Sequence, residues 1–289
     1  MKVLITGKNG QLGYELSRTV PASIELFTFD SATLDITQLE HVIETINQIQ
    51  PDIIINAAAY TAVDKAEEDR EAAFRVNRDG IKHLSDAAKQ VGAKVVHVST
   101  DFVFNGEKNT PYSIEDECFP LGVYGESKRA GELALIESLP ESSYIIRTAW
   151  VYSSHGNNFV KTMLRLMAQL DKLDVVYDQI GTPTWAKGLA LAIWRLIERK
   201  DTVPSGIYHW TDAGVTSWYD FAVNIQSLAL EKGLLQKAIP ISAIPASAYP
   251  TSAKRPSFSV LEKTALEQAL DIQTTHWQTQ LSDMLDELN

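Results

Sequence analysis

Lys2-Val3-Leu4-Ile5-Thr6-Gly7-Lys8-Asn9-Gly10-Gln11-Leu12-Gly13 begins as a short apolar strand and runs directly into a glycine loop. The residues behind it, Tyr14-Glu15-Leu16-Ser17-Arg18, carry a helical pattern. Strand, loop and helix in that order bring free backbone N–H groups to a helix N-terminus, with few Cβ atoms to keep a pyrophosphate away. The spacing of Gly7, Gly10 and Gly13 is G-x-x-G-x-x-G, a departure from the commonest dinucleotide fingerprint. Taken alone, the glycines serve either a phosphate or a tight turn.

Working outward, the apolar run 25–29 is a second strand ending on Asp30. An acid at that distance from the loop commonly accepts hydrogen bonds from ribose hydroxyls, which favours NADH over NADPH; a strand-end cap is the alternative. Asp35 follows as a candidate frame for the adenine. A helix over 38–49 stops before Pro51, and Asp52-Ile53-Ile54-Ile55-Asn56 reads as a continuous buried strand of a parallel sheet. Ala57-Ala58-Ala59 then offers little bulk beside a flat ligand, and Thr61-Ala62-Val63-Asp64 is expected as a loop at the strand's carboxyl end. Asn77 and Gly80 are poor helix formers inside a helical stretch, which implies close packing, a water relay or a surface kink. The strand 94–98 ends in Ser99-Thr100-Asp101, hydroxyls and an acid aimed at the same crevice or capping the strand end. Each strand is followed by a helix or crossover, the pattern of a doubly wound parallel sheet.

The charge balance narrows the functions. A formal net charge of −11 and a pI near 5.0 disfavour non-specific nucleic-acid binding and an anionic membrane surface. Any anionic ligand must find local positive charge or helix N-termini. With 45% hydrophobic and 22% charged residues the chain reads as an ordinary globular protein, and 289 residues suggest one large domain with a smaller one attached. No cationic leader, membrane-length apolar run, repeat or low-complexity tract is visible, and the single cysteine, Cys118, fits a cytoplasmic protein with a buried thiol. The six histidines lack metal-ligand spacing, so no metal site is expected.

Tyr124 and Lys128 are the candidates for the chemistry; a chance Tyr-x-x-x-Lys pair on an exposed helix is the alternative. Four residues apart, they share one helix face. At about 4 Å and an effective dielectric near 20, an ammonium favours a phenolate by roughly 4 kcal/mol. That is about three pKa units, enough to bring a phenol toward neutrality as a proton donor to a carbonyl oxygen.

The stretches GKNGQLG (7–13), NAAAYTAVDKAE (56–67), VSTDFVF (98–104), VYGESK (123–128), RTAWVY (147–152), GNNF (156–159), DQIGTPT (178–184) and SAYPTSAKRP (247–256) extend the pattern over nearly the whole chain. In them the sequence resembles the extended short-chain dehydrogenase/reductase family and, within it, the dTDP-4-dehydrorhamnose reductases. The resemblance implies a Rossmann-type α/β fold with a smaller C-terminal substrate-binding domain. The dinucleotide-binding domain would span 1–152 plus about 173–210, and the nucleotide-sugar-binding domain about 153–172 and 211–289. It implies Thr100, Tyr124 and Lys128 as the catalytic set, acting on the C4 ketone of a dTDP-4-dehydro-6-deoxy sugar with NADPH or NADH. Cofactor contacts carry over to Gly7, Gly10, Gln11, Leu12, Gly13, Asp30, Asp35, Ile36, Ala59, Tyr60 and Thr61, besides Tyr124 and Lys128. Substrate contacts fall on Val63, Asp64, Thr100, Asp101, Trp150 and Arg255, with the Arg255 guanidinium on the diphosphate. A core role for Trp150 and a free surface position for Arg255 are the alternatives. Some relatives form dimers bridged by a divalent metal such as Mg; here Lys187 stands where an acid is expected, which argues against that bridge and leaves monomer or homodimer open. A nucleotide-sugar epimerase, or a non-catalytic subunit like the regulatory subunit of methionine adenosyltransferase, remain the rival readings.

Overall fold

Alternate residues of β1 (Lys2–Thr6) face opposite ways, Val3 and Ile5 into one apolar cluster and Leu4 into another. The computed structural model in which this is seen describes residues 1–288. The first half alternates: α1 (Gln11–Arg18), β2 (Glu25–Phe29), α2 (Leu39–Ile49), β3 (Ile53–Asn56), α3 (Val63–Ala66), α4 (Arg70–Phe74), α5 (Gly80–Val91), β4 (Lys94–Thr100), α6 (Val123–Ser138) and β5 (Ser143–Thr148). Then come β6 (Val151–Tyr152), α7 (Phe159–Gln169), β7 (Leu173–Val176), β8 (Ile180–Gly181), β9 (Thr184–Trp185), α8 (Ala186–Glu198) and β10 (Gly206–His209). The last are β11 (Thr216–Ser217), α9 (Trp218–Glu231), β12 (Ile241–Ile244), α10 (Thr264–Leu270) and α11 (Trp277–Asp286).

The main sheet has the order β10-β5-β4-β3-β1-β2, every pair parallel. From β1 the chain steps to β2 on one side, then returns to β3 on the other. That reversal opens a crevice outside the carboxyl ends of β1 and β3, the place where such sheets hold ligands. Leu12, Leu16, Leu189, Ile193, Leu266 and Leu270, from α1, α8 and α10, cover one sheet face. Val42, Ile46, Ile81, Leu84 and Leu135, from α2, α5 and α6, cover the other. This is the Rossmann-type doubly wound sheet that the chain's strand pattern predicts.

A third cluster lies away from the sheet, built from Val160 and Met163 of α7, Phe221 and Ile225 of α9, and Leu281 and Leu285 of α11. The expected boundary near 173 moves. β7 pairs in parallel with β12, and its Leu173 and Val175 belong to the third cluster. Asp174 between them is exposed, the alternation of a half-solvated strand rather than of a central one. Of the span 173–210, α8 and β10 join the sheet, while α10 packs on it from within 211–289. The expected loop at 61–64 also changes, because Val63 already starts α3.

One buried acid carries a pH signature. Asp212, just after β10, is 1% exposed; its Oδ2 accepts from the Trp185 N–H at 3.0 Å, and its carbonyl accepts from Lys263 Nζ at 2.6 Å. Burial pushes its pKa up to about 8, against the pull of the Trp185 N–H, Lys263 and Gln280. The buried Tyr152 hydroxyl lies within the influence of Asp212 and of Asp283, and burial with both acids pushes its own pKa well up. A folded pKa above the unfolded value means the native state holds an extra proton, so stability is full below about pH 4 and lost as pH rises through 8. Thermal melts should therefore show the wild type losing stability from pH 5 to 9 relative to Asp212→Asn, which keeps the acceptor for Trp185. Equal slopes for the two proteins would refute this.

Candidate active site

The glycine loop closes on the sheet because of one backbone angle. Gly7 has φ +76°, and a Cβ there would lie 2.7 Å from the Ala58 nitrogen, so only glycine lets the loop rest against the end of β3. No side chain caps α1 at Gly10. Gly10, Gln11 and Leu12 line a cavity of about 910 Å³, so the unmet first-turn N–H groups of α1 serve that space. Gly7, Asp30, Asp35, Ile36, Ala59, Tyr60, Thr61 and Val63 line it too. Gly13 lies buried within α1 and does not line the cavity.

Asp30 meets a partner the sequence reading passed over. Lys8 Nζ lies 3.3 Å from its Oδ2, and Asn9 Nδ2 donates to the same oxygen at 3.0 Å. The Thr33 hydroxyl bond, helped by the Thr33 N–H and Lys8, outweighs desolvation and brings the carboxyl down to about 2. Tyr60 is held from behind. Asn77 Oδ1 accepts from the Tyr60 N–H at 2.8 Å, and Asn77 Nδ2 donates to the Tyr60 carbonyl at 3.1 Å and to Ser127 Oγ at 2.9 Å. Asn77 sits in a π-helical turn, Arg75–Asp79, between α4 and α5. At Gly80 a Cβ would come within 2.7 Å of Ile36. Close packing is thus what the two poor helix formers provide.

Thr100, Tyr124 and Lys128 line the same cavity. Thr100 Oγ1 accepts from the Phe102 N–H at 3.2 Å and donates to Asp101 Oδ1 at 3.0 Å; the same side chain draws the Tyr124 pKa downward. The edge of one ring meets the face of the other between Tyr124 and Phe102, centroids 5.5 Å apart. Asp101 is 2% exposed and its Oδ2 has no partner among the described residues; burial lifts its pKa to about 6 against the pull of Ser259 and Thr100.

The acidified phenol expected from the Tyr-x-x-x-Lys spacing is not what the geometry yields. Desolvation of the hydroxyl end, outweighing the Thr100 bond and reinforced by Asp101, pushes Tyr124 up to about 12. The Lys128 ammonium is not aimed at the phenol: Nζ donates to the Val98 carbonyl at 2.6 Å and meets His97 Nε2 at 3.4 Å. Burial draws Lys128 down to about 8 and holds His97 well below its usual value. Helical spacing places the two residues on one face, but the Val98 carbonyl of β4 takes the ammonium.

Of the residues expected to contact substrate, Asp101, Trp150 and Arg255 line the cavity with Val63. Asp64 does not; it binds Arg255 instead. Trp150 has φ +48° and stacks on Trp218, centroids 3.5 Å apart. Trp218 also lines the cavity, although nothing in its surroundings in the sequence marks it. Among the described residues no group of three or more His, Cys, Asp or Glu could hold a metal ion, and no helix is long and apolar enough to cross a membrane. Lys187 Nζ is paired with Glu287 Oε1 at 2.9 Å.

A family model described as the RmlD substrate binding domain matches residues 1–289. The chain is 42% identical over 288 residues to the dTDP-4-dehydrorhamnose reductase of Aggregatibacter actinomycetemcomitans, covering 98% of each. The chain belongs to the dTDP-4-dehydrorhamnose reductase family. A crystal structure of a member from Clostridium acetobutylicum superimposes with a TM-score of 0.93 at 42% identity, covering 100% of this chain and 99% of the other. A Bacillus anthracis family member, solved in complex with NADP, gives 0.93 at 36% identity and 99% coverage of both chains. Membership in this oxidoreductase family accords with the strand-end crevice and its glycine loop.

Proposed function

We propose that the chain reduces the C4 ketone of dTDP-4-dehydro-6-deoxy-L-mannose (dTDP-4-dehydro-L-rhamnose) to dTDP-L-rhamnose, using NADPH or NADH, with Tyr124 as the proton donor. The observation that carries this reading is that Thr100, Tyr124 and Lys128 share one cavity with the uncapped N-terminus of α1. The residues present fit a dinucleotide. Gly10, Gln11 and Leu12 would take the pyrophosphate, Asp30 the adenosine ribose, Asp35 and Ile36 the adenine, and Ala59, Tyr60 and Thr61 the span between. Asp30 favours the unphosphorylated cofactor, while Lys8 beside it offsets part of that charge, so both cofactors are accepted.

The dinucleotide, when bound, supplies a hydride to the carbonyl carbon. The oxygen left behind is a far stronger base than a phenolate, so Tyr124 gives up its proton downhill even with a raised pKa. Thr100 fixes the phenol's orientation and offers a hydroxyl near the same oxygen. Lys128, tethered by one of its three donors to Val98, has others for the nicotinamide ribose. Val63, Asp101 and Trp150 would shape the sugar pocket. The sheet unit would serve the dinucleotide, and the unit built on α7, α9 and α11 the nucleotide-sugar.

The decisive assay is the loss of absorbance at 340 nm with the dTDP-4-keto sugar and each reduced cofactor in turn. No loss with either rejects the reading. A dinucleotide retained through purification without net oxidation would favour an epimerase, and binding without turnover a regulatory subunit. Arg255→Ala should raise the KM for the sugar nucleotide about 10- to 100-fold, as loss of a charge-assisted pair implies, with kcat and the cofactor KM little changed. An unchanged KM would put the diphosphate elsewhere.

A further inference from the structure

Arg255 lines both the large cavity and the small cleft that Phe102, Trp150 and Trp218 form beside it, yet its guanidinium is already engaged. Nη2 donates to Asp64 Oδ2 at 2.6 Å and Nη1 to Asp64 Oδ1 at 3.1 Å. Paired N–H···O bonds onto one carboxylate are the geometry a guanidinium offers to two phosphate oxygens. Oδ1 of Asp64 also accepts from the Ala253 N–H at 3.0 Å, and Arg255 Nη1 donates to the Ala253 carbonyl at 3.2 Å. One carboxylate in the first turn of α3 therefore fastens residues 253 and 255 to the rim of the sheet. Asp64 is 45% exposed and Arg255 25%, so water reaches both partners of the pair. The Arg255 bond, helped by the Ala253 N–H, outweighs desolvation and keeps the Asp64 carboxyl below the usual range, so it stays an anion.

We propose that Asp64 is a built-in competitor for the diphosphate site: its carboxylate occupies the Arg255 fork until a nucleotide diphosphate displaces it. This rests on the reading in which Arg255 takes the substrate's diphosphate. Entry then exchanges one anion for another, and departure of the product lets the carboxylate return. The guanidinium is never left unpaired in a chain whose net charge is −11. An ion pair this open to solvent is worth little, so the competition costs about two- to fivefold in affinity.

Binding of dTDP itself tests this, by isothermal titration calorimetry on wild type, Asp64→Asn, Arg255→Ala and the double variant. Asn keeps an acceptor for the Ala253 N–H but turns an NH₂ toward the guanidinium. Asp64→Asn should bind dTDP about two- to fivefold more tightly, and the same change in the Arg255→Ala background should do nothing. Unchanged or weaker binding by Asp64→Asn overturns the proposal, and weaker binding would instead make Asp64 a ligand contact. An equal gain in both backgrounds also overturns it, since that would be general charge relief. Failure of every protein to bind dTDP overturns it as well. The reductase reading stands or falls separately, on NADPH oxidation with the keto sugar.

Discussion

Tyr124→Phe is expected to lower the turnover of keto sugar by about 10²–10⁴-fold, the usual contribution of a positioned proton donor. The affinity for NADPH should hardly move, because the variant loses one oxygen and keeps the ring that packs against Phe102. The two readouts separate chemistry from binding: equilibrium titration of the cofactor, and single-turnover oxidation at saturating sugar. The pH dependence adds a third. With the phenol raised to about 12 by burial, the donor stays protonated throughout the neutral range. No loss of rate between pH 7 and 9 should trace to ionisation of Tyr124. Near wild-type turnover in the phenylalanine variant would remove it from the mechanism.

The second large effect concerns stability. Glu132 on α6 and Arg147 on β5 form a buried pair, with Arg147 Nε to Glu132 Oε1 at 2.8 Å and Nη2 to Oε2 at 2.7 Å, the side chains 0% and 1% exposed. Ser99 and Arg129 also donate to the same carboxylate, and the Arg147 guanidinium lies over the Phe104 ring, 5.2 Å from its centroid. Glu132→Ala should cost about 3–5 kcal/mol, because it leaves Arg147 charged and unmatched in the interior. Urea unfolding would read this directly, and a loss below about 1 kcal/mol would contradict the buried-pair account. Burial alone would raise the Glu132 pKa, but Arg147, Ser99 and Arg129 outweigh it and the net shift is downward. A folded pKa below the unfolded one gives stability that is present above the normal glutamate range and lost as pH falls. Since Ser99 precedes Thr100, this pair also anchors the strand end that carries the proposed site.

Much of this was legible in the chain. Ile53-Ile54-Ile55 announces a strand buried on both faces, and the structure puts it between β1 and β4. Gly7 and Asp30 reach the same cavity because both follow directly on strands that end at one rim. Leu173-Asp174-Val175 misled the domain boundary: a four-residue strand carries its alternation but not the identity of its partner, and that partner, Ile241–Ile244, lies far along the chain. Helical spacing put Tyr124 and Lys128 on one face, yet no local pattern tells an ammonium to choose the Val98 carbonyl over a phenol. Trp218 against Trp150 and Lys8 against Asp30 are likewise tertiary pairings, without a signature in spacing or composition.

The π turn at Arg75–Asp79 bears on how this architecture could drift. Such a turn holds one more residue than a regular helical turn would. Deleting that residue would restore a regular helix with the segments on either side near their present phase, since the wide turn already absorbs the extra residue. Asn77 would then leave the Tyr60 peptide, and with it a wall of the cleft would lose its brace. Here a single extra residue, absorbed in one wide turn, carries the side chain that braces that wall between two otherwise ordinary segments.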